Sequence, residues 1–443
     1  MAEIAAFRGV RYNTPRSGPL ADLVAPPYDI IGADERRRLE EKSPYNVVRI
    51  DLPRPAADDP GGDAGYARAG ELWRQWRRRG ILRLDARPAL YVYEQRYRLP
   101  GGSARRVRGV IAALRLAHWE EGIVLPHEHT FAQTKADRLA LMRATQAQLS
   151  PIYAFCSDPA RTLDALLGAG PGEDPPAAAV RVEDAEGTVH TLWALDEMDQ
   201  LRQIASALRP LPLFIADGHH RYETALAFRN ETTRAGSVPG ATHVMTMIVN
   251  IDAGGVSLLP THRIVLPFPG FDEASLRARA AELFDFSPIQ GPIAPDPLLN
   301  ALADERIVAC LGFPPGRWFA VAAKDRAELE SRIEPSRSAA VRQLDVTIVH
   351  DLLLHRCLGL DPERQASGEA IRYTRSAAEA IAAVAAGEAV LAILLRAPTP
   401  AQVRDVARAG DVMPHKSTYF YPKLLTGLVF SDLTIPVQPL LDA

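Results

Sequence analysis

The sequence predicts a mixed α/β or α+β protein in which helices and strands alternate and several strands pair as hairpins. Apolar runs of strand length alternate with amphipathic helical runs along most of the 443 residues. Three pairs of strand-like runs are separated by short turns that contain Gly, Pro or Asp. Because such hairpins do not belong in a purely parallel, doubly wound sheet, that architecture is not expected.

Composition limits the possible classes of protein. A chain of 443 residues, of which 47% are hydrophobic, is long enough for about two or three domains with a large core. The formal net charge of -3 does not suit a dedicated nucleic-acid binder. The three cysteines are far apart, which argues against a disulfide framework or a thiolate zinc site. No signal peptide or apolar run of about 18 residues is visible, so we expect a cytoplasmic protein without a membrane partner.

The first half of the chain contains a strand, a helix, a hairpin, a second helix and a further strand. The predicted ranges are 47–52 (strand), 65–79 (helix), 89–99 and 107–116 (a hairpin across Pro100-Gly101-Gly102), 134–148 (helix) and 152–156 (strand). Thr134 is the predicted N-cap of the second helix.

The second half continues the alternation after a Gly- and Pro-rich loop at 168–179. The predicted ranges are 196–208 (helix), 213–216 (strand), a helix to about 230, 244–251 and 256–259 (hairpin), 307–313 and 318–322 (hairpin), 341–358 (helix), 376–386 (helix), 389–395 (strand) and 400–409 (helix). The proline-rich stretch 287–297 is the expected connection between an α+β domain, residues 1–286, and an α/β domain, residues 298–443.

The turn Asp217-Gly218-His219-His220-Arg221 is the most informative motif. An apolar strand precedes it and a helical run follows, so the turn lies at a helix N-terminus, which favours anions. Arg221 supplies a planar fork suited to phosphate, and Asp217 can hold a hard cation such as magnesium. His219 and His220 can donate hydrogen bonds or transfer protons. The alternative is a tight structural turn whose histidines are satisfied by hydrogen bonds.

A second motif is Pro126-His127-Glu128-His129-Thr130-Phe131, followed by Lys135. His127 and His129 would share one face if they lay on a strand, and could then ligate a metal, although the spacing identifies no third ligand. Lys135 and Arg138 lie in the first turns of a helix, where basic residues oppose the helix dipole unless an anion binds nearby. A solvated helix face is the alternative.

A third motif is the loop Met413 to Lys423. Its polar members are His415, Lys416, Ser417, Thr418 and Lys423. Two lysines, two hydroxyls and a histidine beside prolines and aromatic residues are typical of a loop that closes over phosphates. A packed aromatic loop with surface lysines is equally compatible with this composition.

Two weaker motifs remain. Prolines fix the chain before Tyr28 and Asp29, so Asp29 is a candidate metal ligand or base, although a rigid structural entry loop is the alternative. In Pro260-Thr261-His262-Arg263, the residues His262 and Arg263 follow an apolar strand, so they can reach a pocket at a strand end.

The ordered motifs identify a family. They are PPYDII, NVVRIDLP, LPHEHTF, SPIYAF, ADGHHRYETAL, LPTHRIV and MPHKSTYFYPKLLTGL. This set resembles the bacterial and archaeal proteins catalogued as domain of unknown function 1015, from about Phe7 to about Phe430. No function follows from that family name.

A second resemblance implies chemistry. The DGHHR segment is similar to the phosphate-binding motif of the ParB/sulfiredoxin-like superfamily, which implies a core of that fold with large insertions and an additional C-terminal α/β region. His219 stands where sulfiredoxin has its catalytic cysteine, and the DNA-binding domains of the partition proteins are not visible, so no nucleic-acid partner is expected. The similarity to free-serine kinases implies that Gly218, His219, His220 and Arg221 contact nucleotide phosphates, with Asp217 near the metal or the phosphoacceptor.

Three functions follow as hypotheses. The first is a magnesium-dependent phosphotransferase that uses a nucleoside di- or triphosphate (ATP or ADP) and a small hydroxylated metabolite, with Asp217, His219 and His220 as catalytic residues. The second is a nucleotide-dependent switch that hydrolyses slowly or not at all. The third is a metal-dependent hydrolase built on His127, His129 and Asp217.

Overall fold

The protein consists of two compact units. The computed structural model describes residues 1–54, 63–99, 102–168, 175–176, 178–235, 238–291 and 293–441. The first unit comprises Met1–Pro126, Thr130–Ser257 and Pro422–Ala443, and the second comprises His127–His129 and Leu258–Tyr421. Most of the loop predicted at 168–179, and two residues of the turn predicted at 100–102, lie outside the described residues.

A mixed sheet of ten strands forms the centre of the first unit. Across eight strands its order is Val124–Leu125, Leu213–Asp217, Ile152–Cys156, His243–Asn250, Ala104–Arg115, Leu90–Arg98, Val189–Leu195 and Val180–Glu183. Ile4–Ala6 also pairs with Ala104–Arg115, and Gln438–Pro439 pairs with Ile4–Ala6. Leu90–Arg98 and Ala104–Arg115 are antiparallel neighbours, which confirms the first predicted hairpin.

A smaller antiparallel sheet and a set of helices complete the first unit. The strand order is Leu82–Leu84, Gly9–Tyr12, Phe430–Asp432 and Ala147–Gln148. The α-helices are Thr14–Ser17, Ala33–Lys42, Val48–Asp51, Asp63–Arg78, Ala132–Thr145, Thr162–Leu166, Met198–Leu208 and His219–Ala235. Short 3₁₀ turns occur at Leu20–Asp22, Tyr28–Ile30, Trp119–Glu121 and Ile251–Ala253.

Two large apolar cores and one small apolar cluster are formed by the described residues of the first unit. One core packs the buried face of Met198–Leu208, including Leu201 and Ile204, with side chains of the large sheet. The other surrounds Trp73, Trp76 and Phe430, which join helix Asp63–Arg78 to the smaller sheet. Burial of large aromatic side chains removes the most apolar area per residue, so these cores fix the elements that position the site.

The second unit consists of an antiparallel sheet and the helices around it. The strand order is Phe284–Pro288, Arg317–Ala323, Ile307–Phe313, Leu391–Leu394, His262–Val265 and Ile371–Thr374. The helices are Glu273–Ala280, Pro295–Ala301, Arg326–Arg332, Ala339–Arg342, Asp345–Ile348, the π-helix Val349–Cys357, Pro362–Ala366, Ala377–Ala385 and Pro400–Arg408. Short strands also occur at Ser257–Leu258 and Phe420–Tyr421. Helices and sheets in both units confirm the mixed α/β class.

The strand predicted at 47–52 is wrong, because residues Val48–Asp51 form a helical turn. The β-branched residues favoured a strand, but the Asn46 side chain decides the local structure. Its carbonyl oxygen accepts from the Val48 amide, and its amide group donates to main-chain carbonyls at Asp22 and Val24. These bonds stabilise a turn that buries Val48 and Ile50.

Three further differences concern boundaries and pairing. The helix predicted at 134–148 is Ala132–Thr145, and Thr134 is not its N-cap. The hairpin predicted across 252–255 does not form; past the turn, the Leu259 amide bonds to the Tyr419 carbonyl instead. The single helix predicted at 341–358 is divided into three consecutive segments. Gln343 and Leu344 separate the first segment from the second.

The chain divides between the units after residues 126, 129, 257 and 421, and not in the proline-rich stretch 287–297. That stretch belongs to the second unit, where Phe284–Pro288 is a sheet strand and Pro295 begins a helix. Proline at the first position of a helix is favourable because its missing N–H would have no partner there. Among the described residues, no helix has both the length and the apolarity needed to cross a membrane.

Candidate functional site

The central turn joins a buried strand to a long helix in the first unit. Strand Leu213–Asp217 pairs with a strand on each side, and helix His219–Ala235 follows after Gly218. Gly218 has φ of 97°, a conformation that glycine adopts without strain. The Tyr222 amide donates to the Gly218 carbonyl at 3.0 Å, so the first helical turn starts directly at the end of the strand. The predicted strand–turn–helix arrangement is therefore correct.

Asp217 lies between two cations. Arg221 Nη2 donates to Asp217 Oδ2 at 2.7 Å, and Lys423 Nζ forms an ion pair with Asp217 Oδ1. The three side chains are only 13 to 16% exposed. Burial alone would raise the pKa of Asp217, but Lys423 and Arg221 outweigh that effect and lower the pKa to about 2. The three groups carry two positive charges and one negative charge, so this end of the helix is electropositive.

Arg221 folds back over the turn. Its Nη1 donates to Ser150 Oγ at 3.1 Å and to the Pro151 carbonyl. The guanidinium lies against Gly218, since a Cβ added there would be 2.9 Å from Arg221 Nη2. In this arrangement both Nη atoms are held by protein acceptors, so phosphate contact through Arg221 requires exchange of these bonds.

The two histidines of the turn have different surroundings. His219 is 3% exposed, and its charge interaction with Asp217 also lowers the pKa of Asp217. His220 Nε2 accepts from the Phe131 amide at 2.9 Å, and the two rings stack at 5.8 Å. Because Nε2 is an acceptor, His220 is assigned as the neutral tautomer protonated at Nδ1.

Lys135 contacts the same helix one turn further on. Its Nζ donates to Glu223 Oε2 at 2.7 Å, and the Thr130 hydroxyl donates to the same oxygen at 2.6 Å. Burial opposes ionisation of Glu223, but these two donors outweigh it and lower the pKa of Glu223. The basic residue near the start of its own helix is thus neutralised by a carboxylate rather than left for an anion.

A cavity of about 40 Å³ borders Arg221. Its lining includes Tyr28, Asp51, Arg138 and Thr224. Arg138 pairs with Asp51 and its guanidinium lies 4.1 Å from the centre of the Tyr28 ring. Burial raises the pKa of Tyr28 to about 12 and also raises that of Asp51. Asp51 and Ser150 belong to the family motifs NVVRIDLP and SPIYAF, but neither was predicted as a site residue, because each is an ordinary polar residue without a charged motif around it.

The predicted metal pair does not form. His127 is fully buried and its Nε2 lies 3.0 Å from Thr418 Oγ1, whereas His129 is exposed. The two imidazoles lie in an irregular segment, not in a strand, so the condition under which they would share a face is not met. Thr418 also donates to Glu128 Oε1 at 3.0 Å, so His127 and Glu128 both bond to the loop at Thr418 within the second unit.

The rest of the loop 413–423 divides between the units. Ser417 donates to the Pro414 carbonyl, and the His415 ring meets the Tyr373 ring edge-on at 5.8 Å in the second unit. Lys416 is exposed and has φ of 55°. Lys423 belongs to the first unit, where it reaches Asp217. The structure thus brings Lys423 to the central turn, and it brings His127 to Thr418.

Magnesium was predicted at Asp217 and Asp29. Both carboxylate oxygens of Asp217 accept from cations, so Asp217 does not fit a metal ligand in this arrangement. Asp29 is exposed and follows Tyr28 in a 3₁₀ turn. In the part of the chain that is described, no three His, Cys, Asp or Glu side chains are grouped to hold a metal ion.

The chain belongs to the family described as "Protein of unknown function (DUF1015)", whose model matches residues 4–347. No curated protein matches the chain.

Several solved structures are similar to the chain at a low level. A free serine kinase in complex with AMP has 14% identity and a TM-score of 0.35, covering 72% of this chain and 92% of that one. A conserved hypothetical protein from Pyrococcus furiosus has 14% identity and a TM-score of 0.34, covering 72% and 95%. SbnI from Staphylococcus aureus, truncated at its C-terminus, has 11% identity and a TM-score of 0.33, covering 70% and 87%.

Proposed function

We propose that the first unit binds the phosphates of a nucleotide at the turn after Asp217 and transfers the terminal phosphoryl group to a hydroxyl of a small metabolite. One observation carries the proposal: Asp217 is shared by Arg221 and Lys423 at the N-terminus of helix His219–Ala235, which leaves a net positive charge there. The helix dipole and the first helical amides add to this field. An anion is the natural ligand of such a site.

Lys423 and the amides after Gly218 are the proposed phosphate ligands. Arg221 joins them when an incoming phosphate takes the place of Asp217 on its Nη2 atom. The phosphate then carries the negative charge that the carboxylate supplies in the present arrangement. Such exchange of one anion for another keeps each buried cation paired throughout binding.

Asp217 is proposed to orient the accepting hydroxyl. Because its pKa is lowered to about 2, it is ionised at neutral pH and accepts a hydrogen bond without holding a proton. The hydroxyl oxygen attacks the terminal phosphorus, and the bond from phosphorus to the bridging oxygen breaks. The electron pair leaves with the shortened nucleotide, and the hydroxyl proton is released to water. A magnesium ion bound to the nucleotide phosphates would neutralise charge in this reaction, with the exposed Asp29 as its candidate protein ligand.

The test is nucleotide binding by titration calorimetry with AMP, ADP and ATP. We expect Lys423→Met to weaken binding by about 10- to 100-fold, since a hydrogen bond to a charged group contributes about 1.5–3 kcal/mol. Arg143→Met is the control, because Arg143 forms an exposed ion pair with Glu231 on the same unit. Equal affinities for the wild type and Lys423→Met would refute the proposed site.

A second experiment separates an enzyme from a switch. The protein is incubated with ATP or ADP, magnesium and a panel of hydroxylated metabolites that includes serine. A phosphorylated product that is absent with Asp217→Asn supports phosphotransfer. Tight nucleotide binding without any product supports the nucleotide-dependent switch instead.

A further inference from the structure

Arg263 is a buried cation in the second unit. It lies on strand His262–Val265 and is 1% exposed. Its Nε donates to His350 Nε2 at 3.1 Å, and its two Nη atoms donate to the Thr261 carbonyl and, at 3.2 Å, to the Lys416 carbonyl. The guanidinium also lies 5.4 Å from the centre of the Tyr373 ring. All of these partners are neutral.

No carboxylate of the described residues forms an ion pair with Arg263, which distinguishes it from the buried arginines of the first unit. Arg108 pairs with Glu94 at 2.6 Å, and Arg138 pairs with Asp51 and Asp137. A buried charge without a counter-charge is unfavourable by several kcal/mol. Burial lowers the pKa of Arg263 to about 10, so the group still carries its charge at neutral pH.

Within the described ranges, the side chains around Arg263 add no negative charge. Burial lowers the pKa of His350 well below its usual value, and the charges of Arg263 and His415 lower it further. The hydroxyl of Tyr373 donates to the Gln365 carbonyl at 3.0 Å, so it is occupied as a donor. The guanidinium and the His415 imidazole thus both contact the Tyr373 ring, and the guanidinium also donates to the His350 imidazole. Such a group of donors is a composition suited to an anion.

Three further features occur in the chain segments that form this cluster. His350 belongs to the π-helix Val349–Cys357, a rare helical form that occurs frequently at functional sites. One turn earlier, the Thr347 hydroxyl is fully buried and has no hydrogen-bond partner among the described residues. Lys416, whose carbonyl accepts from Arg263, is one of the non-glycine residues with positive φ.

We propose that the cluster of Arg263, His350, Tyr373 and His415 binds a small oxyanion, either a carboxylate or a phosphate. A guanidinium has five N–H donors, of which three are used by His350, Thr261 and Lys416. The remaining donors are the proposed contacts for the oxyanion, which supplies the missing counter-charge. The alternative is that Arg263 only ties the Lys416 segment to the sheet.

The test compares two buried arginines: Arg108, which has a carboxylate partner, and Arg263, which has none among the described residues. In buffer without phosphate or carboxylate, Arg263→Met removes an uncompensated charge, so we expect its melting temperature to equal or exceed that of the wild type. Arg108→Met leaves Glu94 without its buried partner and is expected to melt at a lower temperature. If Arg263→Met is destabilised as much as Arg108→Met, Arg263 is a structural tie and the proposal is overturned.

Binding is then measured with inorganic phosphate in one arm and acetate in the other, in a Lys423→Met background that weakens phosphate binding at the first unit. We expect one of the two anions to protect the peptide 413–421 from hydrogen exchange. Arg263→Lys, which keeps the charge but loses the fork, should bind that anion at least about tenfold more weakly. Protection in the phosphate arm identifies a phosphate site, and protection in the acetate arm identifies a carboxylate site. No protection in either arm at anion concentrations up to about 50 mM, which would saturate a site of millimolar affinity, overturns the proposal.

Discussion

The ion pairs of Asp217 predict how the stability of the first unit depends on pH. A carboxylate whose pKa is lower in the folded protein than in the unfolded chain stabilises the fold above the unfolded pKa. That stabilisation is lost as the pH falls through the folded pKa. For Asp217 the unperturbed value is 3.8 and the folded value is about 2. The window is therefore pH 4 to 2, and the stabilisation at neutral pH is about 2 kcal/mol.

The perturbation is Asp217→Asn, which keeps the shape of the side chain and removes its titration. Two buried cations, Arg221 and Lys423, then lose their shared carboxylate. We expect the variant to be less stable than the wild type at pH 6, and the difference between them to shrink by about 2 kcal/mol at pH 2. The comparison isolates Asp217, because every other carboxylate titrates in both proteins.

The assay is urea unfolding followed by circular dichroism at a series of pH values from 6 to 2. Glu231→Gln, which removes an exposed carboxylate paired with Arg143, is the control and should show a difference of less than about 1 kcal/mol at every pH. If the difference between Asp217→Asn and the wild type stays constant from pH 6 to pH 2, Asp217 is not held ionised by its two cations. The electropositive site that supports nucleotide binding would then lose its basis.

Three further outcomes follow from local geometry. Gly218→Ala should destabilise the protein and weaken ADP binding, because a side chain at φ of 97° is strained by about 1–2 kcal/mol and its Cβ meets the Arg221 guanidinium. Gly254→Ala is the control, since Gly254 has φ of 76° but its added Cβ would have nothing within 4 Å. This control should lower stability in urea unfolding without a loss of ADP affinity. Tyr222→Phe should cost about 1–3 kcal/mol in urea unfolding, because the buried hydroxyl both donates to and accepts from the main chain of Ala117. Burial raises the pKa of Cys310 to about 12, so this thiol should resist iodoacetamide at pH 8 in the native protein and react in urea. Mass spectrometry measures the labelling, and rapid labelling of the native protein would contradict that burial.

Local patterns predicted much of the fold. The hairpins at 90–115 and 307–323 and the strand–turn–helix at Asp217 follow from periodicity and turn residues, which act over a few positions. The strand predicted at 47–52 was wrong because the Asn46 side chain donates to the carbonyls of Val24 and Asp22, which lie 22 and 24 positions earlier. A prediction from a short stretch of sequence does not include such distant contacts. Thr134 was wrong as a cap because the helix begins two residues earlier, after Phe131, whose amide bonds to His220.

The candidate site, like the fold, could be predicted only in part from local sequence. Gly218, with its required backbone conformation, and Arg221, beside its carboxylate, could be recognised within one pentapeptide. The pairing of Asp217 with Lys423 joins residues 206 positions apart, so only the folded chain reveals which lysine reaches the turn. The isolation of Arg263 from every described carboxylate is likewise a property of packing, since the sequence around it contains acidic residues in ordinary number.

The C-terminal segment of the first unit constrains the order of events during synthesis. Phe430–Asp432 lies between Gly9–Tyr12 and Ala147–Gln148, and Gln438–Pro439 pairs with Ile4–Ala6. Residues 1–257 therefore emerge from the ribosome without the strand that joins two of their own strands. The 258–421 segment is translated in the interval, so the N-terminal strands remain without these partners until residues 430–439 have been made. A chain released before residue 430 would keep exposed strand edges, which makes premature termination there a route to aggregation.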